Sequence, residues 1–189
     1  MVISADQVKQ LREKTGAGIM DSKRALQETD GDMAKAESLL KQQGLAKAGK
    51  KSGREALQGV VEAYIHGGGR IGALVEVNCE TDFVARTADF KTLARDVAMQ
   101  VAAMSPRYVS IDDVPAEAWS QLEADHGSRD DAAKAVVLLE QTFIRDGKLT
   151  IKDLVREGIS KLGENIQVTR FSRFELGTDR PATDATADA

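Results

Sequence analysis

The stretch Val60-Val-Glu-Ala-Tyr-Ile-His66, Gly67-Gly68-Gly69, Arg70-Ile-Gly-Ala-Leu-Val-Glu-Val-Asn78 decides the fold class. Its first part is β-branched and aromatic. Three glycines follow, and after Arg70 the apolar residues Ile71, Ala73, Val75 and Val77 fall at every second position. Successive side chains of a strand point to opposite faces, so a period of two predicts a β-hairpin that turns at the glycines and lays one face on a core.

Downstream the period lengthens. Thr87 is placed to cap a long helix reaching about Met104, with Phe90, Leu93, Ala94, Val97, Val101 and Met104 at helical spacing, and Ser105-Pro106 stops it. Pro115 suits a first helical position and predicts a helix through Trp119 and Leu122 to near Gly127. Ala132 to Glu140 reads as helix and Gln141 to Gly147 as irregular chain. Thr150-x-x-Asp153 opens a last helix through Leu154, Val155, Ile159 and Leu162, ended by Gly163. Ile166 to Leu176 alternates again and predicts a third strand with Ile166, Val168, Phe174 and Leu176 on one face.

Upstream, three short helices are expected. Ser4 and Gln7 have capping-box spacing before Val8 and Leu11, and Thr15-Gly16-Ala17-Gly18 interrupts. A second helix runs from Ile19 to Glu28 with Ile19, Ala25 and Leu26 inward. Asp32 caps a third bearing Ala36, Leu39 and Leu40, which Gly44 terminates. Gly44-Leu-Ala-Lys-Ala-Gly-Lys-Lys-Ser-Gly-Arg54 is rich in Gly and Lys and reads as a hinge. Residues 1–60 hold 11 Lys/Arg against 8 Asp/Glu, the remainder 15 against 22, so the charge changes sign across it. The expected organisation is a three-helix domain at 1–44, a basic hinge at 45–55, an α+β core at 56–177 with an antiparallel three-stranded sheet packed with helices, and a disordered tail at 178–189.

Composition narrows the function. With 189 residues, 42% hydrophobic and 30% charged, the chain is globular, and 4% aromatic residues require an aliphatic core. A net charge of −4 argues against a general nucleic-acid or anionic-membrane binder. Cys79 is the single cysteine, so no internal disulfide forms and nothing points to an oxidising compartment. No apolar run reaches the roughly 18–20 residues of a membrane span, and the first residues do not read as a signal peptide. The expectation is a cytoplasmic protein without membrane contact.

Chemistry-bearing clusters are scarce. His66 borders the glycine turn and His126 borders Gly127, and one Cys with two distant His cannot supply a four-ligand zinc site. Gly67-Gly68-Gly69-Arg70 lacks the Lys-Ser/Thr of a phosphate loop, and Gly16-Ala17-Gly18 follows a helix where a dinucleotide fingerprint follows a strand. No enzyme, cofactor or metal site is expected. Lys47, Lys50, Lys51 and Arg54 read as a solvated hinge, with phosphate-backbone contact the lesser option. Cys79 reads as a small buried hydrophobe.

One segment breaks the pattern: Cys79-Glu80-Thr81-Asp82-Phe83-Val84-Ala85-Arg86, between strand and helix, carries apolar Phe83 and Val84 where a polar loop is the norm. Two readings stand side by side: Phe83 tucks under the helix as core, or an aromatic-acidic tip is exposed for a partner. Ile19 and Met20 pose the same choice.

Leu11-Arg-Glu-Lys-Thr-Gly-Ala-Gly-Ile-Met-Asp-Ser-Lys-Arg-Ala-Leu26 and Glu76-Val-Asn-Cys-Glu-Thr-Asp-Phe-Val-Ala-Arg86 resemble, in order, the two signatures of the elongation factor Ts family. Lys161-Leu-Gly-Glu-Asn-Ile166 and Arg173-Phe-Glu-Leu-Gly177 extend the resemblance to about residues 3–177. It implies a guanine nucleotide exchange factor for elongation factor Tu, not a catalyst of covalent chemistry, with an N-terminal module similar to ubiquitin-associated domains. It implies that Thr81, Asp82, Phe83 and Val84 disturb the magnesium site of the partner's GTPase domain, and that Met20, Lys23, Gly163, Glu164 and Asn165 are secondary contacts. The short, single-core form implies a homodimer. The region between Ala116 and Val137 is shorter than the helical hairpin usual in the family.

Overall fold

The computed structural model describes residues 3–51 and 53–178. Helix α1 (Ala5–Thr15) opens on the expected capping box: the Gln7 amide N–H donates to Ser4 Oγ at 3.2 Å, and the Ser4 N–H to Gln7 Oε1 at 3.0 Å. Helix α2 (Ile19–Glu28) follows, and then α3 (Met33–Gly49), whose first free N–H groups donate to Asp32 Oδ1. Val8, Leu11, Ala25, Leu26, Ala36 and Leu40 close a small core among the three. Ile19 is outside it, 58% exposed, because it stands one turn before Ser22, the first buried residue of its face.

Helix α3 does not stop at Gly44. It runs five residues further, through the segment expected to be hinge, and places Ala48 in the larger core. Gly44 serves a crossing instead: a Cβ there would stand 2.3 Å from Ser160 Oγ, so hydrogen alone lets the two helices pass this closely.

Strands β1 (Gln58–His66) and β2 (Ile71–Cys79) pair antiparallel from Gln58↔Cys79 to His66↔Ile71, as the period of two predicts. All three turn glycines take positive φ, which other residues avoid. One helical turn, α4 (Asp82–Ala85), leads into α5 (Ala88–Met104), capped by Thr87. Pro115 precedes a 3₁₀ turn that feeds α6 (Trp119–His126). Helix α7 (Arg129–Val136) begins three residues before the expected Ala132, at the Ser128 cap, and ends four before Glu140, since Val137 turns extended before a 3₁₀ turn at Leu138–Glu140. The segment expected to be irregular forms a small hairpin, β3 (Thr142–Phe143) with β4 (Asp146–Thr150). Helix α8 (Ile151–Leu162) starts at the Thr150–Asp153 capping box and ends at Gly163, and β5 (Ile166–Glu175) completes the sheet in the order β1-β2-β5.

Helices α5 and α8 cover one face of the sheet. Phe90, Val97 and Val101 of α5 pack on the β2 side with Ala73, Val75 and Val77, and Ile151 and Ile159 of α8 complete the same core against α5 and β5. Buried Gln100 and Gln141 tie α5 to the small hairpin: Gln100 Nε2 donates to Gln141 Oε1 (3.2 Å) and to the Thr142 carbonyl (3.1 Å), and Gln100 Oε1 accepts the Ile144 N–H (3.0 Å). Trp119, Leu122, Ala132 and Val136 form a satellite core between α6 and α7.

The expected face of β5 holds only for its first part. Ile166 and Val168 are buried, whereas Phe174 and Leu176 are exposed. The register against β2 steps from Val168↔Val77 to Arg170↔Glu76, leaving Thr169 as an extra residue. A one-residue bulge exchanges the faces of everything beyond it. Phe174 therefore joins Val61, Ile65 and Leu74 on the face the helices leave uncovered, in line with Gly72 and Ile65 across the sheet. Among the described residues no helix is long and apolar enough to cross a membrane. The expected tail lies, beyond Thr178, outside the described residues.

Candidate partner-binding site

Strand β2 carries the chain to Cys79, which is buried and donates its S–H to the Thr81 carbonyl at 3.2 Å. Burial first, and then the negative charge of Glu164, push its thiol above the ordinary value, which suits a packing residue more than a nucleophile. From Thr81 the chain winds a single helical turn. Thr81 Oγ1 accepts the Val84 N–H, the Ala85 N–H reaches the Thr81 carbonyl at 3.3 Å, and the Thr87 hydroxyl donates to the Val84 carbonyl at 2.7 Å. Ala85 is buried and Val84 packs against the main core, so two residues pin the turn from beneath.

Phe83 points the other way. It is 81% exposed, more than any other large hydrophobic side chain among the described residues. Of the two readings open in the sequence, the exposed tip is the one the fold adopts. Asp82 beside it pairs with Arg86 one turn on, at 2.8 Å, on the open surface.

The base of the tip is bound to the turn between α8 and β5. The Thr81 N–H donates to Glu164 Oε2 at 3.0 Å and the Thr81 hydroxyl to Glu164 Oε1 at 2.6 Å. Glu80 Oε1 accepts the Asn165 N–H at 2.7 Å, and the Asn165 amide donates to the Arg54 carbonyl at 2.6 Å. Lys51 Nζ reaches the Gly163 carbonyl at 2.5 Å.

Residues 45–125 match the family described as Elongation factor TS. A relative from Carboxydothermus hydrogenoformans named Elongation factor Ts is 54% identical over 195 residues, covering 93% of this chain and 90% of the relative. One of the same name from Coprothermobacter proteolyticus is 52% identical, over 94% of this chain and all of the relative, and one from Herpetosiphon aurantiacus is 50% identical, over 95% and all. The chain belongs to the elongation factor Ts family.

It is thus a translation elongation factor, acting in protein biosynthesis. The residues expected as secondary contacts divide. Met20, 74% exposed, and Lys23, also exposed, share a face at the start of α2, beside exposed Ile19. Gly163 caps α8, Glu164 is engaged by Thr81, and Asn165 is 1% exposed with its side chain turned to Arg54. That turn is joined to the tip, and the α2 surface is a second, separate feature.

Arg54 lies 3.5 Å from Glu80 and Lys51 is taken by Gly163, so two of the four basic residues read as hinge charges are engaged internally. The Lys47 side chain lies outside the description. His66 Nδ1 stands 3.3 Å from the Tyr64 hydroxyl and its ring stacks on Tyr64. Among the described residues no group of three or more His, Cys, Asp and Glu could hold a metal. Sequence reasoning missed the bonds that join Glu80 and Thr81 to the α8–β5 turn. They span 85 and 83 residues, and no local spacing signals them.

Proposed function

We propose that this protein is a guanine nucleotide exchange factor for elongation factor Tu, accelerating GDP release by protein–protein binding alone, without covalent chemistry. The observation that supports this reading is the Phe83 ring, exposed on a turn that is pinned from beneath and bonded at its base. A GTPase releases GDP slowly because magnesium and backbone amides neutralise its phosphates. A factor that binds the empty or distorted GTPase better than the loaded one shifts that balance. Linkage makes the effect mutual, so incoming GTP expels the factor.

Phe83 supplies the binding energy. A phenylalanine buries roughly 150–250 Å²; at about 25 cal/mol/Å² that is on the order of 4–6 kcal/mol gross. Half of that, after ordering costs, is about a hundredfold in affinity. Thr81 and Val84 hold the turn, and Asp82 brings a carboxylate next to the partner's magnesium shell. Met20 and Lys23 on α2 give the second contact.

The test is release of a fluorescent GDP analogue from elongation factor Tu. Phe83→Ala at subsaturating factor is expected to lose about a hundredfold of the acceleration, and an unchanged rate removes the ring from the mechanism.

The same reading includes a homodimer. The uncovered face of the sheet carries Val61, Ile65, Leu74 and Phe174, an apolar surface that a second copy of itself can cover. Light scattering is expected to give twice the 20.4 kDa chain mass for the wild type and the single mass for Phe174→Lys. A monomeric wild type at micromolar concentration overturns the dimer.

A further inference from the structure

Four residues of helix cannot hold a direction of their own, because the first turn costs more order than its bonds return. What aims α4 must lie outside it. Beneath, Val84 and Ala85 supply two apolar contacts. At its start, both hydrogen-bond donors of Thr81 end on one side chain, Glu164, one to each carboxylate oxygen. The same turn is returned to β2 through the Glu80 carboxylate on the Asn165 N–H, so the two segments exchange acidic side chains across the gap. Buried Asn165 then fixes the turn to the Arg54 carbonyl, and Lys51 to that of Gly163.

We propose that Glu164 is a positioning residue for nucleotide exchange: its carboxylate holds Thr81 so that Phe83 projects before the partner arrives. This rests on the exchange reading above and gives Glu164 a task inside the chain instead of a contact with the GTPase. A tip that samples other directions is competent for only a fraction of the time, and the concentration of factor needed rises in inverse proportion to that fraction. Once the complex has formed, the ring is seated and the release step is the same. Glu164 therefore governs the half-saturating concentration and leaves the saturated rate alone, whereas Phe83 governs both.

Two measurements on the full chain separate the outcomes. Amide hydrogen exchange of the free protein needs no partner: in Glu164→Ala the amides of 81–86 are expected to exchange faster, with those of α1 to α3, β1 and β2 unchanged. In GDP release from elongation factor Tu, Glu164→Ala is expected to raise the half-saturating concentration about five- to tenfold, with the saturated rate within about twofold. Glu164→Gln keeps one acceptor oxygen and the shape of the side chain, and falls between. In a Phe83→Ala background Glu164→Ala adds much less than it does in the wild type, since the ring it chiefly aims is gone. Unchanged amide exchange at 81–86 overturns the clamp whatever the partner does. Faster amide exchange with wild-type GDP release in both Glu164 variants overturns the positioning role and leaves the exchange reading standing, provided Phe83→Ala is defective. Wild-type release by Phe83→Ala overturns that reading, and the role of Glu164 falls with it.

Discussion

Thr81-Asp82-Phe83-Val84 and Thr87-Ala88-Asp89-Phe90 open two successive helices in nearly the same way and send their phenylalanines to opposite places. In each, the threonine hydroxyl accepts the N–H three residues on, from Val84 and from Phe90. In each, a carboxylate sits in the first turn. Phe90 is the third helical residue and is 0% exposed; Phe83 is the second and is bare. One residue is about 100° of rotation. The inward third position of α4 belongs to Val84, which fills it half-buried. Phase decides burial here, not composition, and a ring set one step out of phase beside an occupied inward position is available to another molecule.

The largest effect expected from this comparison is on stability. Phe90→Ala empties the centre of the main core and should cost about 3–5 kcal/mol, read as a lowered denaturation midpoint. Phe83→Ala removes a larger part of the function and almost none of the fold; its midpoint should stay within about 0.5 kcal/mol of wild type. Equal losses in the two variants would show that the tip ring packs in solution and would end the contrast.

Of these two threonines the sequence marks only Thr87 as a cap, which shows how far it can be read. Capping and periodicity are local, and they place α1, the β1–β2 hairpin, α5 and α8 close to their observed bounds. Gly44 misleads because a glycine that ends a helix and a glycine that lets two helices cross look alike until the second helix, 116 residues on at Ser160, is in place. Phe174 misleads because the bulge at Thr169 inverts the parity of everything after it, and a bulge leaves no mark in a run of alternating residues. The hairpin at 142–150 is short and its apolar residues do not alternate, and Gln100 from another element bonds its backbone. The tip itself was legible as an anomaly, and the family resemblance gave it a direction; what holds it, Glu164 on Thr81, joins residues that have nothing in common but their final position.

The smallest effect falls to Asp82, and it sharpens what the out-of-phase ring does. Its pair with Arg86 lies on the surface, where such pairs contribute about 0–1 kcal/mol, so Asp82→Ala should leave the fold unchanged and lose only about two- to fivefold in exchange at ordinary magnesium, roughly 0.4–1 kcal/mol in binding terms. The magnesium dependence carries the information. If the carboxylate works on the metal, chelating the magnesium removes its target, and Asp82→Ala converges on the wild-type rate while Phe83→Ala remains slow. A deficit in Asp82→Ala that persists at every magnesium concentration would instead place Asp82 in the shape of the turn, through Arg86, and leave the metal to the ring alone.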